Sequence, residues 1–192
     1  MQADFGVELG ADDDTLELPW AADDGGPRYF DLKREPELLF EVEEAQRLPA
    51  LREFLAAINS PGGFLETAKC NAWFSTEINP EEDIFGPACK FGSYVDILFS
   101  ETDSRFSFSQ NEQLAGRVTQ LLKRVPEIPA AAEMIIRRCF YHLENDVRDG
   151  FYITLYLFGY GDDELQARQQ WAIALKLVEN ALRQVDGQLK RR

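Results

Sequence analysis

The chain has 192 residues, 45% of them hydrophobic, and a formal charge of −14 from 34 acidic and 20 basic side chains. Its length and apolar content suit one packed domain that needs no disulfide or metal to hold it. The negative field opposes nucleic-acid backbones and anionic membrane surfaces, both of which bind proteins through Lys and Arg. Cys70, Cys89 and Cys139 form no CxxC pair, no apolar run approaches the ~20 residues that span a bilayer, and the start lacks a basic and then apolar leader. These features predict a cytoplasmic protein with no membrane and no nucleic-acid partner.

Residues 1–27 carry eight acids and no base, and read as an acidic, mobile arm that ends at Gly25-Gly26-Pro27. Within the arm Leu16, Leu18 and Trp20 alternate with Glu17 and Pro19, as a short edge strand would. The arm keeps the protein soluble or offers itself to a basic partner. Residues 28–192 form the expected domain. Residues 36–47 fit either a strand, with Leu38, Phe40 and Val42 on one side, or a helix. From Pro49 the pattern is helical, because Leu51, Phe54, Leu55 and Ile58 share one face and Ser60-Pro61-Gly62-Gly63 ends it.

Strands follow at about 64–78 and 91–100, with Arg105-Phe106-Ser107-Phe108-Ser109 as a short further edge strand. A helix capped by Ser109 and Glu112 carries the stripe Leu114, Val118, Leu121, Leu122 and Val125. Strands at 133–144 and 151–160 then flank a turn at Asn145–Gly150. The last helix has Asp162, Asp163 and Glu164 at its positive end and the stripe Trp171, Leu175, Val178, Leu182 and Val185.

The second half reads as a duplicated strand-strand-helix unit, with copies at about 64–125 and 133–189. Lys69-Cys70 and Arg138-Cys139 open the two copies, and Cys70 and Cys139 are expected in equivalent core pockets. The predicted fold is α+β: an antiparallel sheet of about four to six strands with the helices mainly on one face. In the last strand Ile153, Leu155 and Leu157 point one way, and Tyr152, Tyr156, Phe158 and Tyr160 point the other. Both faces are apolar, so the aromatic one needs a cover. The amino-terminal segment, a second copy or a ligand could supply it.

The helix at Pro49–Asn59, the strands around Cys70 and Val95, Phe106-Ser107-Phe108 and the long final helix follow an order similar to that of the type III secretion chaperones. The resemblance lies in element order and acidity, with no shared motif. It implies a small homodimeric binding protein without catalytic activity.

Few residues suggest chemistry. His142 is the only histidine, and its odd spacing from Cys139 on one strand puts the two on opposite faces, so they form no catalytic pair. Cys89, beside Lys90 in an expected loop, is a candidate reactive thiol. Gly159-Tyr160-Gly161 has the outline of a phosphate-binding turn, but the three acids that follow would repel phosphate, so it reads as a flexible strand-to-helix turn. The acidic runs lack the ligand spacing of calcium loops, and no cofactor or metal site is predicted. The expected function is therefore non-catalytic: a binding, adaptor or chaperone-like protein acting through Tyr152, Tyr156, Phe158, Tyr160 and Trp73, with itself or another protein as partner. One alternative is a small-molecule-binding protein or enzyme whose pocket between sheet and helices is lined by Trp73, Tyr94 or Tyr141, with His142 or Cys89 reactive. Another is an acidic immunity-type or mimic protein that binds a basic partner.

Overall fold

A computed structural model describes residues 1–10, 15–20, 29–80, 82, 86–143 and 146–189, with the backbone alone at 187–189. Among the described residues six strands form one sheet: β1 (Gln2–Glu8), β2 (Leu16–Leu18), β3 (Leu65–Ser75), β4 (Cys89–Phe99), β5 (Ala130–Leu143) and β6 (Asp146–Gly161). The order is β1-β5-β6-β4-β3, and β2 also pairs with β5. The β3, β4, β6 and β5 ladders are antiparallel, whereas β1 and β2 run parallel to β5. The sheet is thus mixed, and the α+β class holds.

The helices that accompany it are α1 (Glu43–Arg47), α2 (Pro49–Ile58), α3 (Thr102–Arg105), α4 (Phe108–Leu122) and α5 (Glu164–Leu189). Pro49 opens α2, where a missing N–H costs nothing, and Leu51, Phe54, Leu55 and Ile58 are buried as their spacing predicts. In α5 the stripe Trp171, Leu175, Val178, Leu182 and Val185 is buried, with Ala167, Ala174 and Ala181 beside it. Helices α2, α4 and α5 cover one sheet face. There Val95 and Ile97 of β4, Met134 and Ile136 of β5, and Ile153, Leu155 and Leu157 of β6 form the main core. Trp171 anchors the layers, with Nε1 donating to Ser93 Oγ at 2.8 Å and the ring meeting Phe91 at 5.0 Å.

The structure decides the open reading of residues 36–47 in favour of helix and corrects several other expectations. Residues 36–41 form a 3₁₀ helix that leads into α1, because Pro36 opens it and the Gln46 side chain donates to Phe40 O at 2.6 Å. Residues 105–109 are no strand: α3 ends there and α4 begins, and Ser107 rather than Ser109 is the cap, its Oγ accepting from Gln110 N–H. Residues 146–150 are not a turn but the start of β6, paired with Cys139–Leu143. Gly150 makes this possible, since a Cβ there would lie 2.4 Å from the Tyr141 ring. Likewise Gly159 and Gly161 belong to β6 and are not a flexible turn. A Cβ at Gly159 would lie 2.1 Å from Trp171 N, so the glycine lets strand and helix touch.

The described part of the acidic arm is also ordered into the sheet. β1 pairs with Ala131–Arg137 and β2 with Cys139–Tyr141. Ala3 is buried in the core, and Glu8 accepts from Arg137 at 2.7 Å. The boundary Gly25-Gly26-Pro27 lies outside the described residues. The duplicated unit finds no support. Cys70 pairs with Val95 on the helix-covered face, while Cys139 is buried on the other face beside Leu16 and Leu18, so the two thiols do not occupy equivalent pockets.

Candidate functional site

The face of the sheet opposite the main helix layer has two halves. At one end Leu16 and Leu18 of β2, with Trp20, Tyr29 and Phe106, pack over Leu98, Cys139, Tyr141 and Tyr152. The protein's own amino-terminal segment therefore covers that end. Tyr152 is only 6% exposed beneath it, which removes it from the expected binding set.

The other half is open. Register sets Trp73 of β3 and Phe158 of β6 on either side of Gly92 in β4, and Tyr94 of β4 opposite Tyr156 of β6. Trp73 and Phe158 meet edge to face with centroids 6.1 Å apart, and Tyr94 and Tyr156 lie 6.2 Å apart. All four rings are half-buried. They form a continuous aromatic strip across three strands, flanked by cations: Lys90 Nζ lies 5.4 Å from the Phe158 ring and the Arg137 guanidinium 5.9 Å from that of Tyr156. Such geometry is that of cation–π contacts, in which the ring face attracts the cation.

Tyr160 does not share this exposure. It is 2% exposed, and its hydroxyl donates to Glu82 Oε1 at 3.1 Å. Glu82 also takes two hydrogen bonds from Lys90 Nζ at 2.6 and 2.8 Å, which ties the β3–β4 loop to the sheet. Burial raises the Glu82 pKa, but the bonds from Lys90, the Asn79 N–H and Tyr160 outweigh it and hold it below its ordinary value.

At the junction of the two halves lies Asp96, 5% exposed, whose Oδ1 accepts from Thr154 Oγ1 at 2.7 Å. Burial pushes its pKa up to about 6, against the lowering effect of the Thr154 bond and of Lys69 and Arg137. A second buried carboxylate, Glu66, stands nearer the covered end. It pairs with Arg105 Nη2 at 2.7 Å, and burial raises its pKa despite that cation.

The structure does not bring together the residues of the enzyme alternative. Cys89 is not in a loop but begins β4 on the helix side, 3% exposed, with Sγ donating to Gly161 O at 3.4 Å. Burial, aided by Asp163, Asp162 and Glu164, raises its pKa, so Lys90 does not activate it. His142 is exposed and contacts Glu17 at 2.8 Å, and Tyr141 is buried. Among the described residues no cluster of three or more His, Cys, Asp or Glu is arranged to hold a metal, and no helix is long and apolar enough to cross a membrane. A groove of about 860 Å³ at the edge of the sheet is walled in part by helix residues, Glu43 and Glu44 of α1 and Leu55 of α2, and Tyr94 is the one residue of that alternative that lines it. It runs along β3 between Val42, Leu32 and Trp20 on one side and Thr67, Cys70 and Tyr94 on the other.

Of the five predicted residues, the structure thus places Trp73, Tyr156 and Phe158 on one open surface and withdraws Tyr152 and Tyr160. It adds Tyr94 and, beneath the rings, Gly92. The Gly92-x-Tyr94 alternation in β4 is the signal in the sequence that points to them. Comparison of the chain with protein-family models, with curated proteins and with solved structures found no match.

Proposed function

We propose that this is a non-catalytic binding protein, adaptor or chaperone-like, whose aromatic strip takes up a polypeptide partner, either another protein or a second copy. The observation that carries the reading is that Trp73, Tyr94, Tyr156 and Phe158 lie half-buried side by side on a face whose other end packs against the protein's own Trp20, Tyr29 and Phe106. Contiguous apolar surface of this kind, bordered by charged groups, marks interaction sites, and aromatic residues dominate the energy of such interfaces. The scattered positions of Cys89 and His142 also leave the thiol and the imidazole without a shared substrate position.

A photo-crosslinking benzophenone side chain at Tyr156 tests this in cells that express the full chain. The expected product is a covalent adduct with a polypeptide, which mass spectrometry then identifies. The strip is tested at its centre by Tyr156→Asp combined with Phe158→Asp, with the benzophenone moved to Trp73; folding is checked by circular dichroism. The adduct is expected to disappear. Its persistence in a folded double variant, or the absence of any polypeptide adduct in the parent, overturns the reading.

A further inference from the structure

The outer edge of β3 is unused by any described strand, since among the described residues β3 pairs with β4 alone. Its first half is closed by the protein itself. Lys33 Nζ donates to Leu65 O at 2.7 Å, the Thr67 N–H donates to Asn59 Oδ1 at 3.0 Å, and a register irregularity between Thr67 and Cys70 disturbs the ladder. Caps, bulges and charges are how edges are protected from pairing. The second half, Cys70–Ser75, has no bulge and no charge, and its side-chain cap is a local one, from Asn71 to the N–H of the next residue. It contains no charged residue and no proline, and it leaves Trp73 half-buried on one face and Phe74 40% exposed on the other. The Ala72 N–H points away from β4, because it is held by the exposed Asn71 Oδ1 at 2.8 Å. Alternation along an antiparallel strand then turns the backbone groups of Cys70 and Phe74 outward too.

We infer that Cys70–Ser75 pairs antiparallel with the same segment of a second copy of this chain, joining two sheets into one. Charge selects this occupant. A chain carrying −14 repels its copy over most of its surface, and this stretch is a neutral place where two copies can approach. With Trp73 opposite Trp73, the outward-facing Ala72 and Phe74 become the hydrogen-bonded pairs. The same register brings Glu77 of each copy beside Lys69 of the other, so backbone pairing and charge pairing agree. The groove along Thr67–Asn71 leaves room for the incoming strand beyond Cys70. Glu43 and Glu44 on its far wall oppose the approach at low salt, so the dimer tightens as ionic strength rises. A basic peptide on the same edge would do the reverse. The two aromatic strips then lie on one continuous sheet.

Native mass spectrometry and sedimentation of the full chain test this separately from the aromatic-strip reading. The parent is expected at the mass of two 21.9 kDa chains, more completely at high salt. Ala72→Pro removes an N–H that β4 does not use, and Phe74→Lys puts a charge on the edge. Each is expected to give a monomer with unchanged circular dichroism, while Tyr156→Asp with Phe158→Asp stays dimeric. A parent that is monomeric at every salt and concentration, or a dimer that survives in both folded edge variants, overturns the inference. A dimer lost only in the strip variant places the second copy on the aromatic strip: the inference then fails and the functional reading stands.

Discussion

Trp73 and Phe158 stand on strands that are not neighbours, yet their rings meet at 6.1 Å because the residue between them, Gly92, has no side chain. A Cβ at Gly92 would lie 2.8 Å from Trp73 Cε2 and 3.1 Å from Phe158 Cδ1. Gly92→Ala is therefore expected to part the rings while the backbone ladder persists. Overpacking of this sort costs on the order of 1–3 kcal/mol. Near-ultraviolet circular dichroism should change and the Tyr156 crosslink should weaken, with the far-ultraviolet spectrum preserved. An unchanged near-ultraviolet spectrum would show that the contact across Gly92 does not organise the strip.

Asp96 makes stability depend on pH in a defined direction. Its pKa is raised in the folded protein, so the native state holds a proton that the unfolded chain has released between about pH 4 and about pH 6. Its contribution is most favourable below pH 4 and is lost as pH rises through about 6. Asp96→Asn keeps an acceptor for Thr154 and removes the buried charge. The variant is expected to be more stable than the parent at pH 7 by roughly 3 kcal/mol, because each tenfold change in proton affinity between the folded and unfolded chains is worth about 1.4 kcal/mol. The gain should shrink towards pH 4. Denaturant unfolding across that range measures it, and a gain independent of pH would assign the effect to packing.

Arg105 holds the covered end together. Its Nη2 donates to Glu66 and its Nε to Phe99 O at 2.8 Å, and the guanidinium lies 5.1 Å from the Tyr141 ring. Arg105→Met leaves Glu66 buried without its cation, and losses of about 3–5 kcal/mol accompany such changes. Adding Glu66→Gln is expected to recover part of that loss. Thermal unfolding of the parent, the two single variants and the double variant tests the coupling. Strict additivity would show that the pair does not act as a unit.

Gly159 is the tightest contact between sheet and helix. A Cβ there would meet Trp171 N at 2.1 Å and Ala167 O at 2.3 Å, backbone atoms of α5 that cannot swing aside. Gly159→Ala is expected to cost more than about 4 kcal/mol or to leave no folded protein. Soluble yield and unfolding midpoints decide this, and a variant with near-parental stability would mean that α5 can shift along the sheet.

Local patterns carry much of this architecture. The stripes of α2, α4 and α5 and the two faces of β6 follow from spacing alone, and the structure buries Ile153, Leu155 and Leu157 as that spacing implies. Pairing between distant segments is less legible. β1 joins β5 across more than 120 residues, and nothing in the run Gln2–Glu8, three of whose seven residues are polar or acidic, distinguishes an edge strand from a solvated arm. The start of β6 has the composition of a turn because Asp146, Asp149 and Gly150 are common in turns, whereas Gly150 is needed there to pass beneath Tyr141.

The candidate site divides in the same way. By itself the sequence determined that Tyr152, Tyr156, Phe158 and Tyr160 share one side of a strand, because alternation is a property of each residue's own backbone. Only the tertiary structure decided that Tyr152 is buried in a cluster with Leu16 and Leu18, that Glu82 engages Tyr160, and that Trp73 and Tyr94 join the remaining two. Periodicity reports which side chains share a face. What lies against that face depends on contacts between segments far apart in the chain, and no local pattern encodes them.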